Sequence, residues 1–214
     1  MNEKRISIAI DGPVAAGKTT QAKRLAEALG FLYMDTGALY RTIACYMERH
    51  GKVIADIDEV LASIDLFLER DEKGQQRMFL GMEDVTDCLR TPSISKLASD
   101  ISAVPAVREF LLDMQRAVAK EQNVVMEGRD IGTVVLPDST VKIFLTADAD
   151  IRGFRRWREM KQKGQPEDFH KVLADLADRD YNDSHREVAP LKQADDAIML
   201  DCTELSSRET TQAL

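Results

Sequence analysis

The sequence predicts an α/β fold with a parallel sheet, and three observations carry that prediction. Short strand-like runs alternate with helical patterns along the 214 residues. The first strand, around Ile6, Ile8 and Ile10, passes straight into a glycine-bearing loop and then a helix. Later runs, 124–126 (VVM) and 141–145 (VKIFL), are continuously apolar, as strands covered on both faces are.

The elements follow in order. Residues 20–29 (TQAKRLAEAL) repeat apolar positions at helical spacing, and 31–34 (FLYM) read as a second strand closed by Asp35-Thr36-Gly37. A helix is predicted over 38–50 with Gly51 as its stop, and another over 56–70. The stretch from 70 to 93 mixes charge, glycine and short apolar pieces, which predicts a small β excursion. Pro92 and Pro105 punctuate two further helices, one from Ser93 and one over 106–120. A long polar helical region over 148–183 breaks near Gly164 and Pro166, and 198–200 supply a last strand. The domain reading is a core of 1–55 and 105–214, with a lid at about 150–170 and an insertion at 56–104.

The loop between the first strand and helix is a complete P-loop: Gly12, Pro13, Val14, Ala15, Ala16, Gly17, Lys18, Thr19, Thr20. Glycines let backbone N–H groups curl around phosphate oxygens, Lys18 brings a mobile positive charge to the terminal phosphates, and the Thr19 hydroxyl is placed for Mg²⁺. A strand feeding a helix N-terminus also aims the helix dipole at the anion. The alternative reading, an ordinary glycine turn capping a helix, is disfavoured because the flanking strand and helix are both present. A P-loop alone leaves a GTPase switch, a motor ATPase and a small-molecule kinase open.

Composition narrows the classes. A net charge of −8 argues against a nucleic-acid polymer as partner. No run approaches the ~20 apolar residues of a membrane span and no signal-peptide core is present, so a cytoplasmic protein without membrane contact is expected. The three cysteines, Cys45, Cys88 and Cys202, form neither a disulfide framework nor a CxxC motif. His50, His170 and His185 lack zinc spacing.

Charged clusters then point to a second substrate. Glu127, Gly128, Arg129 and Asp130 follow a strand at the carboxyl edge, where open α/β sheets bind ligands. Glu127 sits where a Walker B acid does, so it is a candidate for the Mg²⁺ shell, or else for tying down loop backbone. Arg179, Asp183 and Arg186 fall at i, i+4 and i+7, on one face if the helix continues that far. Two guanidiniums there can grip phosphate while the carboxylate accepts from sugar hydroxyls; the alternative is a solvated face with internal ion pairs. Arg152, Arg155, Arg156 and Arg158 repeat at helical spacing, fit for an arginine-bearing lid over a triphosphate, while Trp157 among them reads as packed apolar surface.

Together, the strings IDGPVAAGKTT, MDTGALYR, PAVREFLLDMQR, EGRDIGTVVLPD, VKIFLTA and RDYNDSHREVAPL resemble those of bacterial cytidylate kinases, in order and through nearly the whole chain. The resemblance implies a P-loop kinase core with a five-stranded parallel sheet, a small inserted monophosphate-binding domain and an arginine-rich lid. It implies transfer of the γ-phosphate of ATP, with Mg²⁺, to CMP or dCMP. It places phosphate-side contacts on Lys18, Arg41, Arg129 and Arg186, and nucleobase contacts on Ser99, Arg108 and Asp130. Sugar-side contacts fall on Arg179 and Asp183, Thr36 and Tyr40 line the acceptor pocket, and Arg152 and Arg156 act from the lid. A carboxylate, a hydroxyl and a guanidinium match the donor and acceptors of the cytosine edge.

The chain departs from the family pattern in carrying Thr36 where some relatives have serine, Val14, Ala15 and Ala16 where smaller residues are common, and a short run after Ser206. Two other readings stay open at this level. One is a P-loop kinase acting on UMP, AMP or shikimate. The other is a nucleotide-binding switch, although no NKxD-type guanine-reading string is present. A monomer is expected.

Overall fold

The computed structural model describes residues 5–72 and 74–214. Its main sheet has five parallel strands: β1 (Ser7–Asp11), β2 (Leu32–Asp35), β6 (Val124–Glu127), β7 (Val141–Thr146) and β8 (Ile198–Asp201), in the order β2-β6-β1-β7-β8. Alternation within β1 sends Ile8 and Ile10 to one face and Ala9 to the other, and both faces are covered. On the first face α1 (Lys18–Leu29) packs Ala22 and Ala26 against Ile8, Ile10, Val125 and Leu145. On the second, α2 (Thr36–Arg49) and α5 (Pro105–Glu121) bury Leu39, Ile43, Val107 and Leu111 against Ala9, Met34 and Met126. Each of these helices has a sequence-level start or stop. Gly30 closes α1 at φ 66 with its N–H on the Ala26 and Glu27 carbonyls, Asp35 caps α2 at the Ala38 N–H, and Pro105 opens α5.

The register brings the chemistry to one edge. Asp35 on β2 pairs with Glu127 on β6, and Glu127 pairs with Ile10, one residue before Asp11 at the end of β1. The sheet order reverses at β1, so the loops after β1 and β6 open a crevice at the carboxyl ends of the strands.

A second, antiparallel sheet is made of β3 (Leu66–Arg70), β4 (Gln76–Leu80) and β5 (Glu83–Asp84). Its presence corrects the helix predicted over 56–70. The helix here, α3 (Ile57–Ser63), stops where the apolar period changes from Ile57-Val60-Ile64 to alternation in Leu66-Phe67-Leu68. In the sheet register Leu66 faces Leu80 and Leu68 faces Met78, while the Phe67 and Phe79 rings stack at 5.1 Å on the opposite side. Leu66 and Met78 join the same apolar cluster as α2 and α5. Helix α4 (Pro92–Ile101) begins one residue before the predicted Ser93, because Thr91 caps it at the Ile94 N–H and Pro92 takes the first helical position.

The long polar region is two helices, α6 (Ala149–Gln162) and α7 (Phe169–His185), and the last helix, α8 (Ser207–Ala213), is short. Trp157 is anchored between them, donating to the Glu167 carbonyl at 3.0 Å and meeting Phe169 edge-on. Two of the cysteines are neighbours in space, with Cys45 and Cys88 Sγ atoms 3.8 Å apart. His50, His170 and His185 are exposed. Among the described residues, no helix is long and apolar enough to cross a membrane.

Candidate active site

A cleft of about 1000 Å³ opens at the carboxyl edge of the main sheet, and both predicted constellations line it. On its donor side are Val14 to Thr20. Gly12 and Pro13 stand behind the wall. Gly12 lies at φ 148, and a Cβ there would stand 2.0 Å from the Leu145 carbonyl oxygen, so the loop crosses β7 at a distance only glycine permits. The Pro13 carbonyl accepts from Lys18 Nζ at 2.7 Å. Ala15 holds φ 59, a left-handed conformation that costs a residue with a Cβ roughly 1–2 kcal/mol.

Lys18 is 6% exposed. Burial, with the positive charge of Arg129 second, pushes its pKa down from 10.5 to about 7. Asp11 ties the base of this loop to the loop after β6, accepting from the Ile131 N–H at 2.8 Å and the Gly132 N–H at 2.7 Å. Burial raises the Asp11 pKa to about 6 despite those two bonds. The Glu127 carboxylate accepts from Tyr33 Oη at 2.6 Å, and its pKa is raised by burial and by the neighbouring Asp35, with the nearby Thr19 hydroxyl pulling the other way.

The acceptor side is a set of guanidiniums held by carboxylates. Asp35 accepts from Arg41 at 2.6 Å and from Arg90 at 3.3 Å. Arg129 donates from Nε to Asp183 at 2.7 Å. Burial opposes ionisation of Asp183, yet Arg129, Arg186 and Arg179 outweigh it and hold its pKa below the usual carboxylate range. Asp130 receives Arg108 on one oxygen and Arg186, at 3.4 Å, on the other. Burial nevertheless raises the Asp130 pKa. Ser102 links the same pair, its carbonyl taking Arg108 at 3.1 Å and its hydroxyl taking Arg186 at 3.1 Å. Tyr40 lies against Arg108, with the guanidinium 5.9 Å from the ring centre.

Two guanidinium groups of the cleft wall are left short of partners. Arg41 Nε and Arg179 Nε are buried with no hydrogen-bond partner in the described structure. Burial, with Arg129 second, lowers the Arg179 pKa to about 10.

Thr36, Tyr40, Arg41, Ser99, Arg108, Arg129, Asp130, Arg156, Arg179, Asp183 and Arg186 thus share one wall system with the P-loop. Two of the sequence expectations need correction. Arg186 does not project from the helix face: α7 ends at His185, and Arg186 lies on the following turn, steered by its Nε bond to the Ala189 carbonyl at 2.8 Å. Arg152 is not on the cleft wall. Its guanidinium is spent on the Ala147 carbonyl, the Val14 carbonyl and Asp180. Arg155 lines the cleft in its stead, fixed by the Cys202 carbonyl at 2.7 Å.

Asp35, Arg90 and Ser102 also line the cleft and were not singled out from the sequence. Asp35 carries the one usable signal, an acid closing a strand directly before Thr36. For Mg²⁺, the Thr19 hydroxyl beside the Glu127 carboxylate is a hard-oxygen pair that fits an ion otherwise ligated by phosphates and water. No group of three or more metal-ligating acids, histidines or cysteines occurs among the described residues.

Comparison with known proteins agrees with this geometry. The family model described as Cytidylate kinase matches residues 8–214. The cytidylate kinase of Caldicellulosiruptor bescii is 47% identical over 212 residues, spanning 98% of this chain and 93% of that protein. That of Streptococcus agalactiae is 46% identical over 204 residues, spanning 94% and 90%. Among solved structures, an uncharacterized protein from Eubacterium ventriosum superposes with a TM-score of 0.53 at 15% identity, covering 98% of this chain and 95% of that one. Shikimate kinase from Bacteroides thetaiotaomicron gives 0.50 at 17% identity, covering 97% and 93%. These two likenesses speak for the fold alone.

Proposed function

The chain belongs to the cytidylate kinase family, and on that premise we propose a division of its cleft into a donor half and an acceptor half. It transfers the γ-phosphate of ATP to CMP or dCMP, giving ADP and CDP or dCDP. The observation that carries the division is the convergence on one cleft of a complete P-loop with a cluster of guanidiniums, one of which, Arg179, keeps a buried donor without a partner. Such a cluster is costly unless an anion completes it.

In this reading the P-loop amides and Lys18 hold the donor's phosphates, with Arg155 and Arg156 covering them from α6. Thr19, with Glu127 behind it, would hold Mg²⁺, which would supply charge neutralisation to the donor's phosphates. Arg41, Arg129 and Arg186 receive the acceptor phosphate, and Arg179 with Asp183 the sugar. Ser99, Arg108 and Asp130 read the cytosine edge, with Thr36 and Tyr40 lining the pocket. The acceptor phosphate is already ionised near neutral pH, so its oxygen attacks in line without a dedicated general base. Catalysis by the protein is then positioning and charge stabilisation. The inserted segment 56–104 supplies Arg90 and Ser99 to the acceptor half. In this reading every assigned contact comes from one chain, which is taken to act as a monomer.

Steady-state transfer from Mg·ATP to CMP, dCMP, UMP and AMP tests the proposal. Turnover with CMP and dCMP well above AMP is expected; activity confined to AMP, or none with any acceptor, would sink it. Arg129→Ala should lower turnover by roughly 10²-fold or more, the scale of losing one preorganised charge contact.

A further inference from the structure

Asp180 lies on α7 between Arg179 and Asp183, yet it turns away from the cleft those two residues line. One of its carboxylate oxygens accepts from the Val14 backbone N–H at 3.1 Å, and the other receives Arg152. Arg152 in turn donates to the Val14 carbonyl at 3.1 Å and, through Nε, to the Ala147 carbonyl at the end of β7 at 2.8 Å. Both polar groups of Val14 are therefore gripped by one half-buried ion pair. The next residue is Ala15 at φ 59, where most side-chain-bearing residues do not stay. A conformation of that kind persists only where its surroundings over-determine it.

We propose that Asp180, through Arg152, is a positioning residue for the donor loop: the pair fixes the Val14 peptide so that Ala15 is held left-handed and the amides that follow point into the cleft. The clamp lets this P-loop carry alanine where a flexible glycine would otherwise serve. It also joins the two halves of the site, because the helix that bears Arg179 and Asp183 is the helix that holds the donor loop. Neither Asp180 nor Arg152 lines the cleft, so the effect passes through the loop backbone.

The inference rests on the assignment of the P-loop to ATP, which turnover of the unaltered chain with ATP and CMP tests by itself. Steady-state KM values for ATP and for CMP are measured in Asp180→Ala and in Asp180→Asn; the asparagine keeps an acceptor for Val14 but loses the charge that fixes Arg152. The KM for ATP should rise by about tenfold in the alanine variant and less in the asparagine variant, with the KM for CMP within about twofold of the unaltered chain. Adding Ala15→Gly to either variant should recover most of the ATP affinity, since glycine enters the left-handed region without help. A general loss of packing around α7 would raise both KM values and would not respond to a glycine in the loop. An ATP KM unchanged in both Asp180 variants, a matching rise for CMP, or a defect that Ala15→Gly leaves in place overturns the clamp.

Discussion

Lys18 is the group whose ionisation should govern donor binding. Its ammonium is buried, and that burial, with Arg129 next in weight, brings its pKa to about 7 against the pull of Glu127, Asp183 and Asp11. At pH 8 the free enzyme then carries the proton on about a tenth of its molecules, and at pH 7 on roughly half. A triphosphate set against the amine restores the charged form. Binding at pH 8 should therefore draw about 0.9 proton from the buffer, and the Kd for ATP should rise about tenfold per pH unit above 7 while levelling off below about 6. Titration calorimetry in two buffers of different ionisation enthalpy reads the proton directly. Uptake near zero at pH 8, or a Kd that stays flat from pH 7 to 9, refutes the reasoning. The same shift bears on stability. Because the folded pKa lies below the ordinary 10.5, the unfolded chain holds the extra proton between about 7 and 10.5. Stability from this group therefore rises with pH across that window, and its full cost stands below 7. The distance from 10.5 to about 7 corresponds to on the order of 5 kcal/mol as a ceiling. Lys18→Met should accordingly melt higher than the unaltered chain at pH 6 while losing turnover.

Arg179→Met removes a buried guanidinium whose Nε has no partner, so it should stabilise the protein by about 1–3 kcal/mol in chemical denaturation and raise the KM for CMP about tenfold or more. An unchanged acceptor KM would remove Arg179 from the acceptor half. Asp130→Ala strips the carboxylate from Arg108 and Arg186 at once, and denaturant titration should show a loss of about 3–5 kcal/mol, the usual cost of leaving a buried charge uncompensated. Gly12→Ala places a Cβ 2.0 Å from the Leu145 carbonyl, which requires backbone movement in β7 and should cost more than about 4 kcal/mol. A Gly12→Ala protein with an unaltered melting temperature would show that the loop and β7 are not so tightly coupled.

The parts of the site that depend on local order were legible in the sequence. The P-loop is contiguous, Glu127 to Asp130 end an apolar run, and helical spacing sets Arg179 and Asp183 on one face. What sequence could not show were contacts chosen between distant segments. Arg152 and Arg156 sit four residues apart, and spacing alone gives them the same role. Asp180 and the Val14 carbonyl divide them by drawing Arg152 into a strut, while Arg156 stays on the cleft wall. In the same way 56–70 reads as one helix because Ile57, Val60 and Ile64 keep a helical period. The switch at Leu66 becomes visible only when Leu80 and Met78 arrive opposite it. Arg186 belonged to the right cleft for a different local reason, since the helix ends one residue before it.

The overall charge of −8 and the character of the cleft point in opposite directions, and the difference is informative. With every group ionised, the cleft wall carries ten cations (Lys18, Arg41, Arg90, Arg108, Arg129, Arg155, Arg156, Lys163, Arg179 and Arg186) against six carboxylates, a net +4. The rest of the surface is correspondingly acidic. A compact anion is thus drawn into the crevice, where low-dielectric walls focus the field, while an extended polyanion meets repulsion everywhere else. The carboxylates do not cancel the cations. Asp35, Asp130 and Asp183 each fix the direction of a guanidinium, and Arg41, held by Asp35, still keeps its Nε without a partner. Burial lowers the pKa of Arg179 to about 10 and that of Lys18, whose Nζ donates to the Pro13 carbonyl, to about 7. Their charged forms are disfavoured in the free protein and favoured once phosphate arrives. Part of the stability the fold gives up at these two positions is therefore recovered only on binding, which ties folding, substrate affinity and pH to the same two side chains.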